Sequence, residues 1–223
     1  MTFRVLMAGG TGQVGATVVG AAVAEPSCAE VVMVNRREIP LTADRRVRQV
    51  VLDTAAPRFS EDVTAIARDM VAHGDVVYGA SCVGVGAGSL RWTEEALKAL
   101  EIGVVGGFAR GCHAGGITRF ALLSAAGSDA RSRIRYVRIM GMKEDTVRAI
   151  GFERLAIFRP GIIGGNVHTP GYAAWFGRLM GGRFGTIEQD EIAGAFVAEF
   201  LTSPATTGVV CLDNSAMREA RAR

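Results

Sequence analysis

Short apolar runs alternate with helical stripes along the whole chain. Phe3 to Ala8 is apolar except for Arg4 and reads as a buried strand. From Gln13 to Ala24, Val14, Val18 and Ala22, with Val19 and Val23 beside them, recur at helical spacing, and Pro26 closes that helix. A second strand, Val31 to Val34, ends at Asn35. Farther on, Val47 to Leu52, Val76 to Ala80, Phe120 to Leu123 and Leu155 to Phe158 read as strands separated by helical stretches. Ile187, Ile192, Phe196, Val197 and Phe200 mark a closing helix within Thr186 to Leu201. This alternation predicts an α/β protein with a Rossmann-like, doubly wound parallel sheet, whose ligands lie at the carboxyl ends of the strands.

Composition narrows the picture. With 223 residues, the expected organisation is a single domain over 1–223, with 164–188 as a small C-terminal substrate lid exposing Val167, His168, Tyr172, Trp175, Phe176 and Met180. Hydrophobic residues make up 49% and mean hydropathy is +0.24, but charges interrupt every apolar stretch short of the roughly 18 residues a membrane span needs. The start lacks a signal-peptide pattern, so a cytoplasmic protein with no membrane partner is expected. The net charge of +3 comes with basic clusters only at Arg36 to Arg48 and Arg131 to Arg138, which does not point to nucleic acid. Cys28, Cys82, Cys112 and Cys211 lack metal or disulfide spacing, and the three histidines are scattered, so no metal site is expected. The tail from Ser215 to Arg223 reads as a basic, frayed end.

The first strand runs into Gly9, Gly10, Thr11, Gly12, Gln13, Val14 and Gly15. Glycines at positions 9, 12 and 15 permit a sharp turn, close approach to a pyrophosphate, and a helix whose free N–H groups face the phosphates. Asn35 lies twenty residues beyond Gly15, where a dinucleotide fold reads the adenosine ribose. Arg36 and Arg37 follow it in place of an acid, and two guanidinium groups favour a 2'-phosphate, so NADP is expected ahead of NAD. The remaining strand ends present Asp53, Ser81 and Cys82, Ser124, and Arg159 with Pro160 and Gly161. Asp53 is a candidate for the adenine amino group. Ser81, Cys82 and the glycines Gly84, Gly86 and Gly88 are expected beside the cofactor, and Pro160 completes the cofactor-binding set.

Taken together, Gly9-x-x-Gly12-x-x-Gly15, Asn35-Arg36-Arg37, Asp53, Phe120-Ala-Leu-Leu-Ser124, Tyr136 and Phe158-Arg-Pro-Gly161 resemble the short-chain dehydrogenase/reductase superfamily in its atypical or extended branch. The run from Phe120 to Gly161 is most similar to the Tat-interacting oxidoreductase-like proteins and their bacterial relatives. The resemblance implies hydride transfer in which Ser124 polarises a carbonyl or hydroxyl and Tyr136 exchanges the proton. It also implies a lysine four residues after the tyrosine, and there this chain has Met140. Lys143 is the nearest substitute, about 10 Å along a helix instead of about 6 Å. Two readings of it stand: it leans back toward Tyr136, or it makes a surface pair with Glu144, Asp145 or Glu153. The expected function is NADP(H)-dependent oxidoreduction of a small carbonyl, alcohol or sugar-derived substrate; the alternative is a regulatory protein that senses the dinucleotide. Gly103, Gly106 and Gly107, in a helix expected over Glu101 to Arg110, suggest close packing within the chain or across a homodimer.

Overall fold

The computed structural model describes residues 2–41, 44–85, 89, 91–164 and 185–222. Seven strands form one parallel sheet: β1 Phe3–Ala8, β2 Cys28–Asn35, β3 Val47–Val51, β4 Val76–Ser81, β5 Arg119–Leu123, β6 Arg154–Phe158 and, after a two-stranded ladder of β7 Ile162–Ile163 and β8 Thr186–Ile187, β9 Gly208–Leu212. The order β3-β2-β1-β4-β5-β6-β9 places the reversal of winding between β1 and β4. This is the doubly wound, Rossmann-like α/β sheet that the alternating runs predict.

Helices cover both faces because successive strand residues point to opposite sides. Phe3, Val5 and Met7 pack beneath α1 Gln13–Ala24, α6 Gln189–Phe200 and α7 Asn214–Arg221, with Phe158 and Phe196 stacked at 3.9 Å. Leu6, Ala8 and Phe120 pack beneath α2 Phe59–Val71, α4 Val105–Ala114 and α5 Arg135–Arg148. Between β4 and α4 lie a short α3, Glu94–Lys98, and a π-helical turn, Ala99–Val104.

Several expectations need correction. The seventh strand, β9, was not legible, because its alternation is exposed on the sheet edge, with Val209 half exposed. The tail is not frayed over its described length: Asp213 caps α7, Met217 is fully buried, and Arg218 pairs with Glu191 at 2.8 Å. The expected helix over Glu101 to Arg110 is a π-turn running into α4. A Cβ on Gly111 would meet Val63 at 2.7 Å and one on Gly115 would meet Ala67 at 2.3 Å, so small residues on α4 let α2 approach. Gly106 and Gly107 likewise face Thr146 and Phe59. Contacts within the chain therefore account for Gly106 and Gly107, and they carry no argument for a subunit contact. Of the expected lid, 165–184 lies outside the described residues, as do Gly86 and Gly88.

Candidate functional site

The glycine turn sits at the reversal of winding, against the end of β4. Gly9 has φ +81°, and a Cβ there would lie 2.5 Å from the carbonyl carbon of Cys82 and from the amide nitrogen of Val83. At Gly15 a Cβ would lie 2.0 Å from the Gly9 carbonyl oxygen. Only glycine lets the start of α1 close onto the turn in this way. Gly12 caps α1 with extended backbone, and Ala16 N–H donates to its carbonyl at 2.7 Å. The N–H groups of Gln13, Val14 and Gly15 therefore have no acceptor within the helix, and these residues line a cleft. Such a cradle fits a pyrophosphate.

Two clefts meet over this turn, sharing Thr11, Gly12, Trp92 and the stretch Cys82 to Val85. The outer cleft, about 220 Å³, adds Asn35, Arg36, Thr54, Phe59, Leu100 and Val104. Among the described residues no carboxylate lines it. Arg46 is tied to Asp44 at 2.7 Å and Arg48 to Glu30 at 2.5 Å, whereas Arg36 is exposed and has no carboxylate partner among the described residues. Asn35 is buried, and its Nδ2 donates to Gln49 Oε1 at 3.0 Å, so it shapes the strand end.

Four expected cofactor residues lie off both clefts. Arg37 is exposed beyond the wall. Asp53 is exposed and accepts from Ala55 N–H at 2.9 Å, closing a turn, while its neighbour Thr54 stands on the wall instead. Ser81 is fully buried, and its hydroxyl has no partner among the described residues. Pro160 is buried, and its carbonyl accepts from Ala126 N–H at 2.8 Å. Cys82 does line the clefts, and burial pushes its thiol up to about 12 against a weaker pull from Lys143, which disfavours the thiolate a nucleophile needs.

The inner cleft, about 490 Å³, brings together Leu123, Ser124, Tyr136, Met140, Lys143 and Ile163 with the start of α1. Tyr136 sits in the first turn of α5, half-buried, and its hydroxyl makes no hydrogen bond among the described residues. Burial pushes its phenol well above the usual tyrosine range, and the negative charge of Glu101 pushes it the same way. Met140, one turn on, is buried in the cleft wall.

Lys143 follows neither of its expected readings. It is 1% exposed, and its Nζ donates to Glu101 Oε2 at 2.9 Å and to the Leu123 carbonyl at 3.0 Å. Glu101, on the π-turn, is fully buried, and its other oxygen accepts from Val85 N–H at 3.4 Å. Its only sequence signal is a single carboxylate in the apolar run Leu100 to Val105. Because each charge satisfies the other, Lys143→Met should destabilise the protein by about 3–5 kcal/mol by stranding Glu101. The double change with Glu101→Leu should recover most of that loss in denaturant titration.

Ser124 leaves β5 beside this pair, and its hydroxyl donates to Glu144 Oε1 at 2.5 Å. Glu144 is held by the fork of Arg159, with Nε at 2.9 Å and Nη2 at 2.5 Å, and that carboxylate raises the already high guanidinium pKa. Ser128 Oγ stands 3.1 Å from Ser124 Oγ and donates to the Ala125 carbonyl at 2.7 Å. No cluster of three or more metal-ligating side chains occurs among the described residues.

The solved structures with this architecture include MoeE5 in complex with UDP-glucose and NAD (TM-score 0.68, 13% identity, covering 94% of this chain and 76% of that one). The oxidoreductase ylbE from Lactococcus lactis matches at TM-score 0.69 and 14% identity, covering 98% of this chain and 95% of that one. Both share the doubly wound, Rossmann-like fold of this chain. Within that fold, curated sequences supply the resemblance that structure alone does not. The protein fmp52-1, mitochondrial, of Aspergillus oryzae is 28% identical over 159 residues, 70% of this chain and 64% of the relative. HTATIP2 of Rattus norvegicus is 42% identical over 50 residues, 22% of this chain and 21% of the relative. The latter bears out the resemblance to the Tat-interacting oxidoreductase-like proteins. The matches span less than two thirds of the length of these relatives. No family model matches the chain. The expected cytoplasmic location is corrected by the fungal relatives, which are named as mitochondrial proteins. No helix among the described residues is long and apolar enough to cross a membrane.

Proposed function

We propose that this short-chain dehydrogenase/reductase-like protein is an NADP(H)-dependent reductase of a small uncharged carbonyl compound. One observation carries the reading: Tyr136, kept as a neutral phenol with no hydrogen-bond partner among the described residues, faces the same cleft as the glycine cradle. NADPH, when bound, supplies the hydride. Tyr136 Oη donates a hydrogen bond to the substrate oxygen, and its proton passes to that oxygen as hydride reaches the carbonyl carbon. The alkoxide formed is a stronger base than phenolate, so a neutral tyrosine suffices for reduction, whereas alcohol oxidation would need the phenolate that burial and Glu101 oppose. The charge of Lys143 is matched by Glu101, and the remaining inner walls, Val85, Trp92, Leu123, Met140 and Ile163, are uncharged. That lining supports a neutral substrate over a sugar nucleotide.

The preference for NADP rests on the unpaired Arg36 and on the absence of a carboxylate among the described lining residues. Arg36→Ala should weaken NADPH binding by about 10- to 100-fold, the value of one charge-assisted phosphate contact, and leave NADH within about twofold. Fluorescence titration of both nucleotides checks this; equal weakening of both would remove the 2'-phosphate from the argument.

Met140 in place of the implied lysine favours a second reading, a dinucleotide sensor without turnover. NADPH oxidation against a panel of aldehydes and quinones separates the two. Turnover with any of them supports the reductase, and tight NADPH binding with none favours the sensor.

A further inference from the structure

We infer that Glu144 is a positioning residue that fixes Ser124 as a hydrogen-bond acceptor toward the cleft, so that the site holds an alcohol product more tightly than its parent carbonyl. The inference rests on the reductase reading of the cleft. It begins with an inventory of hydrogens. A serine hydroxyl carries one hydrogen, and a carboxylate carries none. Between Ser124 Oγ and Glu144 Oε1, 2.5 Å apart, the shared hydrogen is therefore the serine's. The Arg159 fork donates to both oxygens of Glu144, and the residue is 2% exposed, so water does not compete for it. Ser128 does not alter the count, since its own hydrogen goes to the Ala125 carbonyl.

Ser124 lines the inner cleft, and with its one hydrogen committed to Glu144 its hydroxyl oxygen has only lone pairs to offer a ligand there. A carbonyl oxygen, itself an acceptor, gains nothing from Ser124 and must rely on Tyr136. An alcohol in the same place accepts from Tyr136 and donates its own hydrogen to Ser124 Oγ. This reverses the role that the family resemblance implies for Ser124, which is donation to the substrate oxygen. The reversal follows from Glu144, two turns beyond Tyr136 on the same helix. Once solvent returns a proton to Tyr136, reduction thus ends in a ground state with one more hydrogen bond than it began with, and the product is retained.

The test is equilibrium binding of a matched pair, 2-naphthaldehyde to the NADP+-loaded protein and 2-naphthalenemethanol to the NADPH-loaded protein, read by naphthyl fluorescence. Neither combination allows productive hydride transfer. The quantity read is the ratio of the two dissociation constants and its change between variants, which cancels the difference in nucleotide state. One neutral hydrogen bond predicts that Ser124→Ala lowers the alcohol preference by about 2- to 10-fold and leaves aldehyde affinity unchanged. In Glu144→Gln, the side-chain oxygen keeps Arg159 while the amide donates to Ser124 Oγ. The serine hydrogen then turns into the cleft, so alcohol binding should weaken and aldehyde binding tighten.

Weakening of both probes to the same extent in Glu144→Gln and Ser124→Ala would show a merely structural role and overturn the inference. Should Glu144→Gln fail to fold, Ser124→Ala decides alone: an unchanged ratio overturns the proposal and a reduced one supports it. If the wild type binds neither probe, the carbonyl-site reading fails and takes this proposal with it. A wild type that binds both with a ratio unmoved by either variant overturns this inference and leaves the reductase reading standing.

Discussion

Tyr136→Phe should lower NADPH-dependent carbonyl reduction by about 10²- to 10⁴-fold, the usual contribution of a positioned proton donor, while NADPH affinity stays within about twofold. The substitution removes one oxygen and no packing, and Tyr136 Oη has no partner among the described residues to leave stranded. The pH profile adds a second check with a definite sign. The active form in reduction is the protonated phenol, and burial and Glu101 both raise its pKa, so deprotonation comes at higher pH than for an ordinary tyrosine. The rate of reduction should therefore show no alkaline loss from Tyr136 between about pH 7 and 10, where a free tyrosine already titrates. In the reverse direction the required form is phenolate, and alcohol oxidation should still be rising at the top of that range. A reduction rate that falls through pH 8 to 9 would mean that another group supplies the proton. Steady-state kinetics in both directions, at saturating nucleotide, distinguishes these results.

Gly15→Ala should have the largest effect on nucleotide binding. The new Cβ would fall 2.0 Å from the Gly9 carbonyl oxygen, a backbone atom that cannot swing aside as a side chain can. The start of α1 must back away from the turn, at a cost of about 1–3 kcal/mol in stability. It takes the free N–H groups of residues 13–15 with it, and losing one or two charge-assisted bonds to phosphate should reduce affinity for NADPH and NADH alike by about 10- to 1,000-fold. Gly20→Ala, on the exposed side of the same helix with no neighbour within 4 Å of its new Cβ, is the control. It should stabilise the protein by up to about 1 kcal/mol and leave binding untouched. Equal behaviour of the two variants in thermal melts and nucleotide titrations would contradict the close-approach account.

The frame of the fold was legible because its signals are local. The turn from Gly9 to Gly15 and the helix Gln13–Ala24 follow from glycine spacing and the valine stripe, and six strands announce themselves as apolar runs. What escaped depends on partners distant in the chain. Lys143 reads as a surface residue because its stripe is judged against its own helix, yet its partner Glu101 lies 42 residues upstream. Asp53 and Ser81 sit at strand ends, as a sheet-edge rule requires. One nevertheless turns back to cap its own loop, and the other points into the α2 and α4 layer, because side chains alternate along a strand. In the sequence Glu144 reads only as a surface neighbour of Lys143, and nothing in the local pattern marks it as the partner of Ser124.

The π-turn at Ala99–Val104 has a consequence for how this lineage can change. Such a turn is an ordinary helix carrying one inserted residue, and the insertion shifts every later side chain by about 100° around the axis. Leu100 and Val104 thereby face the outer cleft while Glu101, between them, reaches Lys143 on the inner one. Deleting one residue here would restore a regular helix and pull these three positions out of phase together.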